Sequence, residues 1–393
     1  MNSFFENKAN IYFLLWCIYL LKGTLYQEGT LINQGLLLII LLITLFESFS
    51  CLQITKNIYV SRLFRSISAL IAMFTIYGII LFVTDGVSVK GKMSQYYIEG
   101  AYISLLPIYV TYLYTKKGLI TLHSLQMWMI LFVIVGICEY FKMERGLTAR
   151  ILENKSAFDE GTNNAGNWLL YLISGMLVFR KKPLFLYIGL AVITVFIIMA
   201  MKRGAILICL FLLLIIIRGI MKNASKQQYF IIALLAAITL LVVFAYIQQM
   251  IQSSDYFNYR LEQTLEGDTS NREVIYENFW NTYINQSDPF ALLFGRGAWA
   301  TLKTAGGFAH NDWLEMLINN GIIGAFLLFV FLYRLFQVSR CKFLAYESRF
   351  CLFLIFFIIT IRTFISMSIC GMSIYATSML GFSLADGFRK NVR

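Results

Sequence analysis

The sequence predicts an all-α, polytopic integral membrane protein with about twelve transmembrane helices. Of its 393 residues, 59% are hydrophobic and only 14% are charged, whereas soluble domains are roughly 45–50% apolar and about 25% charged. The apolar residues form long runs, such as 36–45, 207–217 and 324–332. These runs are continuous, while the strands of a membrane barrel would alternate between apolar and polar residues. The composition excludes a soluble enzyme, a disordered chain and a nucleic-acid-binding module.

Twelve segments are candidates for the spans. A membrane-spanning helix needs about 20 mostly apolar residues, because the hydrocarbon core is about 30 Å thick and the helix rises about 1.5 Å per residue. The first, sixth, eighth and twelfth candidates are shorter or more polar than the rest. In chain order the candidates are residues 9–21, 30–51, 64–84, 97–115, 119–138, 166–180, 184–201, 204–218, 228–251, 312–334, 350–370 and 372–388.

The positions of the charged residues predict which side of the membrane each loop faces. If the amino terminus is cytoplasmic, nineteen of the 33 basic residues but only four of the 21 acidic residues lie on the inner side. Lys and Arg are enriched in cytoplasmic loops, so this orientation is favoured, and it places the carboxyl terminus inside as well. The formal net charge of +12 is therefore a topology signal, and the outer face is slightly acidic.

Polar residues collect in two outer loops, residues 139–165 and residues 252–311. A polar stretch as long as the second one is usually functional in a compact membrane protein. We therefore predict three parts: helices one to nine (1–251), a large extracytoplasmic loop that is expected to carry part of an active site (252–311), and helices ten to twelve with a cytoplasmic terminus (312–393).

The large outer loop is expected to be partly helical. Ser270 and Asn271, followed by Glu273, can cap a helix that runs through NREVIYENFWNTYI. Chemistry is accordingly expected at the outer face of the membrane.

His310 lies where the large loop meets the tenth helix, in GGFAHNDWLEMLINNG. In a continuous helix it would share a face with Leu314 and Leu317, while Asp312 and Glu315 would share another. A histidine can exchange a proton near neutral pH, and a nearby carboxylate can orient it. The pattern therefore indicates a general base, and an interfacial helix cap is the alternative.

Two arginines interrupt apolar stretches. Arg203, in MAMKRGAIL, lies between helices seven and eight, and Arg362 lies within IITIRTFIS. An arginine at membrane depth is costly, from about 2.5 kcal/mol upward, and usually serves an anion or a transport pathway. For Arg203 the alternative is snorkelling to the interface. For Arg362 the counterion is an acid or a bound phosphate, which the planar guanidinium suits well.

Two further arginines, Arg260 and Arg272, lie in the large loop, twelve positions apart. They are candidates for binding a phosphate group, and ion pairing with Glu262, Glu266 or Glu273 is the alternative. The sequence predicts no metal ion and no cofactor, because metal sites need several ligands and only one histidine is expected on the outer face.

The segment that holds these residues resembles the O-antigen polymerase and O-antigen ligase superfamily. The resemblance is carried by the HNDWLEMLINNGIIG segment, by Arg260, Arg272 and Trp280 upstream of it, by the FGRG turn at 294–297 and by the break at Arg203 and Gly204. It is specific over residues 199–335. Elsewhere it depends on the number of helices and on hydropathy.

The resemblance implies a metal-independent, glycosyltransferase C-like membrane enzyme in the bacterial inner membrane, with its active site on the periplasmic side. The donor would be a glycan on undecaprenyl pyrophosphate, and the acceptor a lipid-linked repeat unit or lipid A–core. Membrane lipids and a chain-length regulator are the other implied partners, and nucleic acid is not one.

The resemblance also implies roles for the candidate residues. His310 would act on the acceptor hydroxyl, while Arg203, Arg260 and Arg272 would hold the departing pyrophosphate. Further candidates for substrate binding are Arg362, Asp312, Glu315 and Trp280.

Polymerase and ligase share this donor chemistry and differ in the acceptor. We favour a polymerase, because GGFAHN lacks the second histidine before His310 that some ligases carry, and we keep the ligase as the alternative. A flippase or transporter for lipid-linked oligosaccharides is a third reading. It is less favoured because transporters usually spread their polar features over two related halves near the midplane.

Overall fold

The computed structural model describes residues 7–26, 30–85, 93–153, 163–221, 226–253, 272–305, 307–366 and 368–390. Within these ranges the regular elements are helices, apart from an isolated bridge between Lys22 and Tyr26. Short 3-10 turns lie at Met176–Phe179 and Ile369–Gly371. The α-helices are α1 (Lys8–Leu20), α2 (Leu31–Ile54), α3 (Ile58–Asp85), α4 (Met93–Leu105), α5 (Pro107–Lys116), α6 (Leu122–Glu153), α7 (Ala165–Gly175), α8 (Pro183–Met199), α9 (Arg203–Met221), α10 (Lys226–Ser253), α11 (Arg272–Ile284), α12 (Pro289–Phe294), α13 (Ala300–Ala305), α14 (Asp312–Ser339), α15 (Tyr346–Ile365), α16 (Ile374–Leu384) and α17 (Gly387–Lys390).

The helices confirm the predicted class, a helical membrane protein. Each of the twelve predicted segments holds a helix in the described ranges. Among the described residues, five helices are long and apolar enough to cross a membrane, and the count of twelve spans stays a prediction. The five are Leu31–Gln53, Ile58–Thr84, Leu122–Gly146, Asp312–Ser339 and Tyr346–Ile365.

The fourth predicted segment, 97–115, is broken into α4 and α5 at Leu106. The break precedes Pro107, which has no backbone N–H to donate to the preceding turn, while Leu106 itself keeps helical backbone angles. Helix α5 is buried from Pro107 to Thr115. It packs against α16 at Gly381, where a β-carbon would overlap Thr111.

The first predicted outer loop, 139–165, is wrong over its first half, because α6 continues to Glu153. The stretch EYFKMERGLTARILE is charged but rich in residues with high helix propensity, such as Glu, Lys, Met, Arg and Leu. Charge alone was therefore a poor guide to the end of this helix.

The chain divides into two compact units, which we describe separately. The first comprises residues 10–37 and 122–270, and the second comprises residues 7–9, 38–121 and 271–393, in each case over the described ranges. In the first unit, α8 packs against α7 and α10, and α7 packs against α6 and α9. In the second, α14 packs against α3, α12 and α15, and α5 packs against α16. The large loop is helical in part, as predicted, and α11, α12 and α13 lie in it.

Candidate active site

Helix α14 begins at Asp312, two residues after His310. Asn311 is extended, and its side-chain oxygen accepts hydrogen bonds from the backbone N–H groups of Trp313 and Leu314, at 2.9 and 3.2 Å. This is a standard N-cap. His310 precedes the cap with φ of 51°, so the predicted helical face shared by His310 and Leu314 is wrong.

The residues after His310 fasten α14 to the carboxyl end of α15. The Asn311 amide Nδ2 donates to the Phe364 carbonyl oxygen at 3.2 Å, and Trp313 Nε1 donates to Thr363 Oγ1 at 3.1 Å. The Trp313 and Phe364 rings stack with their centroids 5.7 Å apart. The amino end of α14 is thus fixed to the last turn of α15.

Asp312 makes a second connection at the same place. Its carboxylate Oδ2 accepts hydrogen bonds from the backbone N–H groups of Ser368 and Ile369, at 2.7 and 3.2 Å, and the side chain is buried. The charge of Arg362, which is only 2% exposed, acts favourably on this carboxylate. Of the two counterions predicted for Arg362, an acid thus lies near it in the fold, and a bound phosphate stays a prediction.

Arg272 is the first residue of α11 and is anchored at the same helix end. Its Nη1 donates to the Ile365 carbonyl oxygen at 2.9 Å, and the Tyr276 hydroxyl donates to the neighbouring Phe364 carbonyl oxygen at 3.2 Å. The last carbonyls of a helix have no partner within it and favour a cation. Since Asn311 also bonds to Phe364, the segments that carry Arg272 and His310 meet at adjacent carbonyls. The Arg272 bond uses one of the five N–H donors of the guanidinium.

Glu315 supports the residue before His310. Its Oε1 accepts a hydrogen bond from the backbone N–H of Ala309 at 2.6 Å. Its Oε2 accepts hydrogen bonds from Thr301 Oγ1 at 2.8 Å and from Asn319 Nδ2 at 3.1 Å. The carboxylate is buried, so it acts as a connector between α13, α14 and the segment that leads to His310.

The FGRG turn hydrogen-bonds to the end of the first half of α14. The helix is interrupted at Gly321, where φ is 67° and ψ is −164°. The backbone N–H of Arg296 donates to the Ile318 carbonyl oxygen at 2.8 Å, and that of Gly297 donates to the Asn319 carbonyl oxygen at 3.0 Å. The interruption leaves these carbonyls without their usual partners in the helix, and the turn supplies them.

The turn and the helix touch backbone to backbone. A β-carbon at Gly295 would overlap the backbone of Asn319 and Asn320, and one at Gly321 would overlap the backbone of Leu293. Both glycines also have positive φ, which residues with a β-carbon adopt only at a cost.

The His310 side chain is exposed at the edge of an aromatic row. Its ring centroid lies 6.5 Å from that of Phe308, which lies 5.3 Å from Trp299, which in turn lies 5.2 Å from Tyr97. Tyr97 is buried and its hydroxyl donates to Asn320 Oδ1 at 3.1 Å. The row thus runs from the buried helices out to His310.

Arg203 belongs to the other compact unit, where the predicted break between helices seven and eight is confirmed. Helix α8 ends at Met199 and α9 begins at Arg203, and Met201 between them has φ of 50°. Lys202 Nζ donates to Asn164 Oδ1 at 2.9 Å. Arg203 is half-buried at the amino end of α9, where the helix dipole favours an anion.

Of the two remaining predicted site residues, Trp280 is among the described residues and Arg260 is not. Trp280 is exposed on α11, with its ring centroid 6.4 Å from that of Tyr283. Arg260 lies outside the described residues, as do Ser270 and Asn271, the predicted cap of α11.

Two supporting residues were not predicted from the sequence. Thr301 and Asn319 both bond to the Glu315 carboxylate, which holds the residue before His310. The Asn319–Asn320–Gly321 run was an available signal, because asparagine and glycine together inside an apolar helix indicate an interruption. No three His, Cys, Asp or Glu side chains lie close enough to hold a metal ion within the described ranges.

Residues 188–330 match the family model described as O-antigen ligase. The match confirms the resemblance to the O-antigen polymerase and ligase superfamily that was predicted from the motif residues. It covers the break at Arg203, the large loop and the first part of α14. No curated protein matches the chain.

Proposed function

Because residues 188–330 of this helical membrane protein match the O-antigen ligase family model, we propose that it is an O-antigen-type polysaccharide polymerase. It transfers the growing glycan from undecaprenyl pyrophosphate to the next repeat unit, which is itself linked to undecaprenyl pyrophosphate. The observation that carries the proposal is the meeting of the His310 and Arg272 segments at the carboxyl end of α15. The histidine imidazole can exchange a proton, and the arginine guanidinium carries a positive charge.

The reaction forms one bond and breaks one bond at the anomeric carbon of the donor sugar. A hydroxyl of the acceptor repeat unit attacks this carbon, and the bond from the carbon to the pyrophosphate oxygen breaks. The electron pair of that bond leaves with undecaprenyl pyrophosphate. His310 takes the hydroxyl proton as the general base, a contribution of about 100-fold to 10,000-fold in rate. The products are the lengthened lipid-linked glycan and free undecaprenyl pyrophosphate.

The arginines stabilise the negative charge that develops on the leaving group. Arg272 is oriented by its bond to the Ile365 carbonyl, so a cation already in place meets the pyrophosphate as the charge appears. We propose the same role for Arg203, which lies at a helix amino end in its own unit, and for Arg260. We assign Trp280, an exposed ring on α11, to stacking on a sugar of the glycan.

We propose that three residues predicted to contact the substrate position other groups instead. They are Asp312, Glu315 and Arg362. All three side chains are buried. Asp312 and Glu315 accept hydrogen bonds from the elements on either side of His310. The positive charge of Arg362 favours the charged form of the Asp312 carboxyl. They hold the histidine in place and do not touch the glycan.

The alternative is an O-antigen ligase that transfers the glycan to lipid A–core. The description of the matching family favours it, and the donor half of the mechanism is the same. A flippase is disfavoured because the charged candidate residues of the second unit, Arg272, Asp312, Glu315 and Arg362, lie at the ends of their helices, in the first turns of α11 and α14 and in the last turn of α15.

A deletion strain tests the proposal through the gel pattern of its surface polysaccharide. A polymerase predicts lipid A–core that carries a single repeat unit, restored to a full ladder by the wild-type chain. A ligase predicts bare core, with polymer accumulating on the lipid carrier. A normal ladder in the deletion strain would contradict both glycosyltransfer readings, and repeat units stranded on the inner leaflet would support the flippase.

A further inference from the structure

A cavity lies at the end of α14 opposite His310. Its volume is about 680 Å³, within the range of small-molecule sites, roughly 300–1,000 Å³. Helix α14 spans 28 residues, so the cavity and the candidate active site are up to about 42 Å apart along it. The residues that line the cavity are Tyr59, Tyr333, Phe336, Gln337, Arg340, Cys341, Lys342 and Phe343.

Half of the lining is aromatic. Tyr59 and Phe343 stack with their ring centroids 6.1 Å apart, and Tyr59 is 41% and Tyr333 is 47% exposed. Tyrosine is enriched where a helix passes from hydrocarbon to headgroups, because its ring is apolar and its hydroxyl is polar. Phe336 adds a further apolar wall. This part of the cavity suits the upper part of an acyl chain.

Two of the other four lining residues are cationic. Arg340 and Lys342 are both exposed, and the Arg340 guanidinium lies 5.6 Å from the centre of the Phe336 ring. Just outside the lining, Arg334 donates to Gln337 Oε1 at 2.7 Å. Among the described residues that line the cavity none is acidic. Two side-chain charges outweigh the partial charge of about −0.5 at the carboxyl end of a helix.

We propose that this cavity binds the phosphate headgroup of an anionic phospholipid. Arg340 and Lys342 bind the phosphate, and the first carbons of an acyl chain lie along Tyr59, Tyr333 and Phe336. A basic pocket beside membrane helices is the kind of site that binds anionic headgroups. The preference for basic residues in cytoplasmic loops accounts for the positive charge at the cavity. It does not account for the cavity itself or for the aromatic rings that line it. The site is independent of the proposed glycosyl transfer.

Lipid binding to the purified full chain, measured by native mass spectrometry, tests the site. The probes are dioleoyl phosphatidylglycerol and dioleoyl phosphatidylcholine, which have the same acyl chains. The wild-type chain should bind phosphatidylglycerol more tightly. Arg340→Gln and Lys342→Gln should each weaken that binding about five-fold, since a basic residue near the surface contributes about that factor. Arg340→Lys should keep most of it.

Arg218→Gln is the matched control, because it removes one exposed cation at the end of α9, in the other unit. It should leave lipid binding unchanged. Equal binding of the two lipids, or the same loss in the control as in Arg340→Gln, would overturn the proposal. So would a dimeric mass that Arg340→Gln abolishes, because the cavity would then be covered by a second copy of the chain.

Discussion

His310 has a backbone φ of 51°, a left-handed conformation that costs a residue with a β-carbon about 1–3 kcal/mol. Strain of this kind persists where neighbouring contacts over-determine it. Here Ala309 on one side is held by Glu315, and Asn311 on the other is held by Phe364. The residues around His310 therefore fix the backbone, and the imidazole is left exposed to meet a substrate.

Glu315→Gln should destabilise the protein by about 1–3 kcal/mol. The amide replaces one accepting oxygen by an NH₂ group, so at least one donor among Ala309, Thr301 and Asn319 loses its acceptor in a buried place. Thermal unfolding of the detergent-purified chain measures the change. Glu277→Gln, an exposed position on α11, is the control and should stay within about 0.5 kcal/mol. Equal melting temperatures for the two variants would contradict the connector role of Glu315.

Arg272→Lys should lower the rate of glycan transfer about ten-fold or more while the chain folds normally. Lysine keeps the charge but not the planar fork that bonds to Ile365 and faces the pyrophosphate at once. Arg296→Lys is the control, because Arg296 is exposed and bonds to the Gln286 side chain. Transfer assayed with membranes that contain equal amounts of each variant measures the difference. A wild-type rate in Arg272→Lys would remove this arginine from the mechanism.

At the scale of elements, the interruption of α14 at Gly321 was not predicted from the sequence. The apolar run of GIIGAFLLFVFLY continues a helical pattern, and α14 is helical on both sides of Gly321. The interruption requires the FGRG turn, 24 residues earlier in the chain, to supply backbone donors to Ile318 and Asn319. A contact between distant segments of this kind leaves no periodic pattern.

Gly295→Ala should destabilise the protein markedly more than Gly297→Ala. Both glycines have positive φ, of 76° and 101°, so both substitutions bear the backbone cost of about 1–2 kcal/mol. Only at Gly295 would the new methyl group also overlap the backbone of Asn319, while the space beside Gly297 is open. Thermal unfolding of the two variants, compared directly, gives the cost of the overlap. A smaller loss at Gly295 than at Gly297 would contradict the packing of this turn on α14.

At the scale of the whole molecule, hydropathy and charge predicted most of the helices and the break at Arg203, but not the breaks at Leu106 and Gly321. Continuous apolar runs predicted twelve helical segments, and each of them holds a helix in the described ranges. The break before Pro107 results from the missing N–H of proline, and the extension of α6 to Glu153 results from the helix propensity of its residues. Mean hydropathy over a window reports neither property. For the site, the sequence identified His310 and Arg272 as candidates, but it could not show that both segments are anchored at the end of α15.

The predicted orientation can be tested with cysteine labelling in a variant that lacks the seven native cysteines. Ser287→Cys, exposed beside α11, should react with a membrane-impermeant maleimide in cells whose outer membrane has been made permeable. Lys181→Cys, exposed before α8, should react only after the inner membrane is opened. The reverse pattern would invert the topology and move His310 to the cytoplasmic side.

In the proposed reaction His310 acts on the acceptor hydroxyl, and His310→Asn in the purified, reconstituted chain tests this role most directly. Asparagine tolerates the left-handed backbone better than most residues, so the variant removes the imidazole and keeps the local structure. With lipid-linked repeat units as donor and acceptor, the account predicts that transfer falls about 100-fold to 10,000-fold while the melting temperature is unchanged. A variant that folds as the wild type does and transfers glycan at the wild-type rate would contradict it.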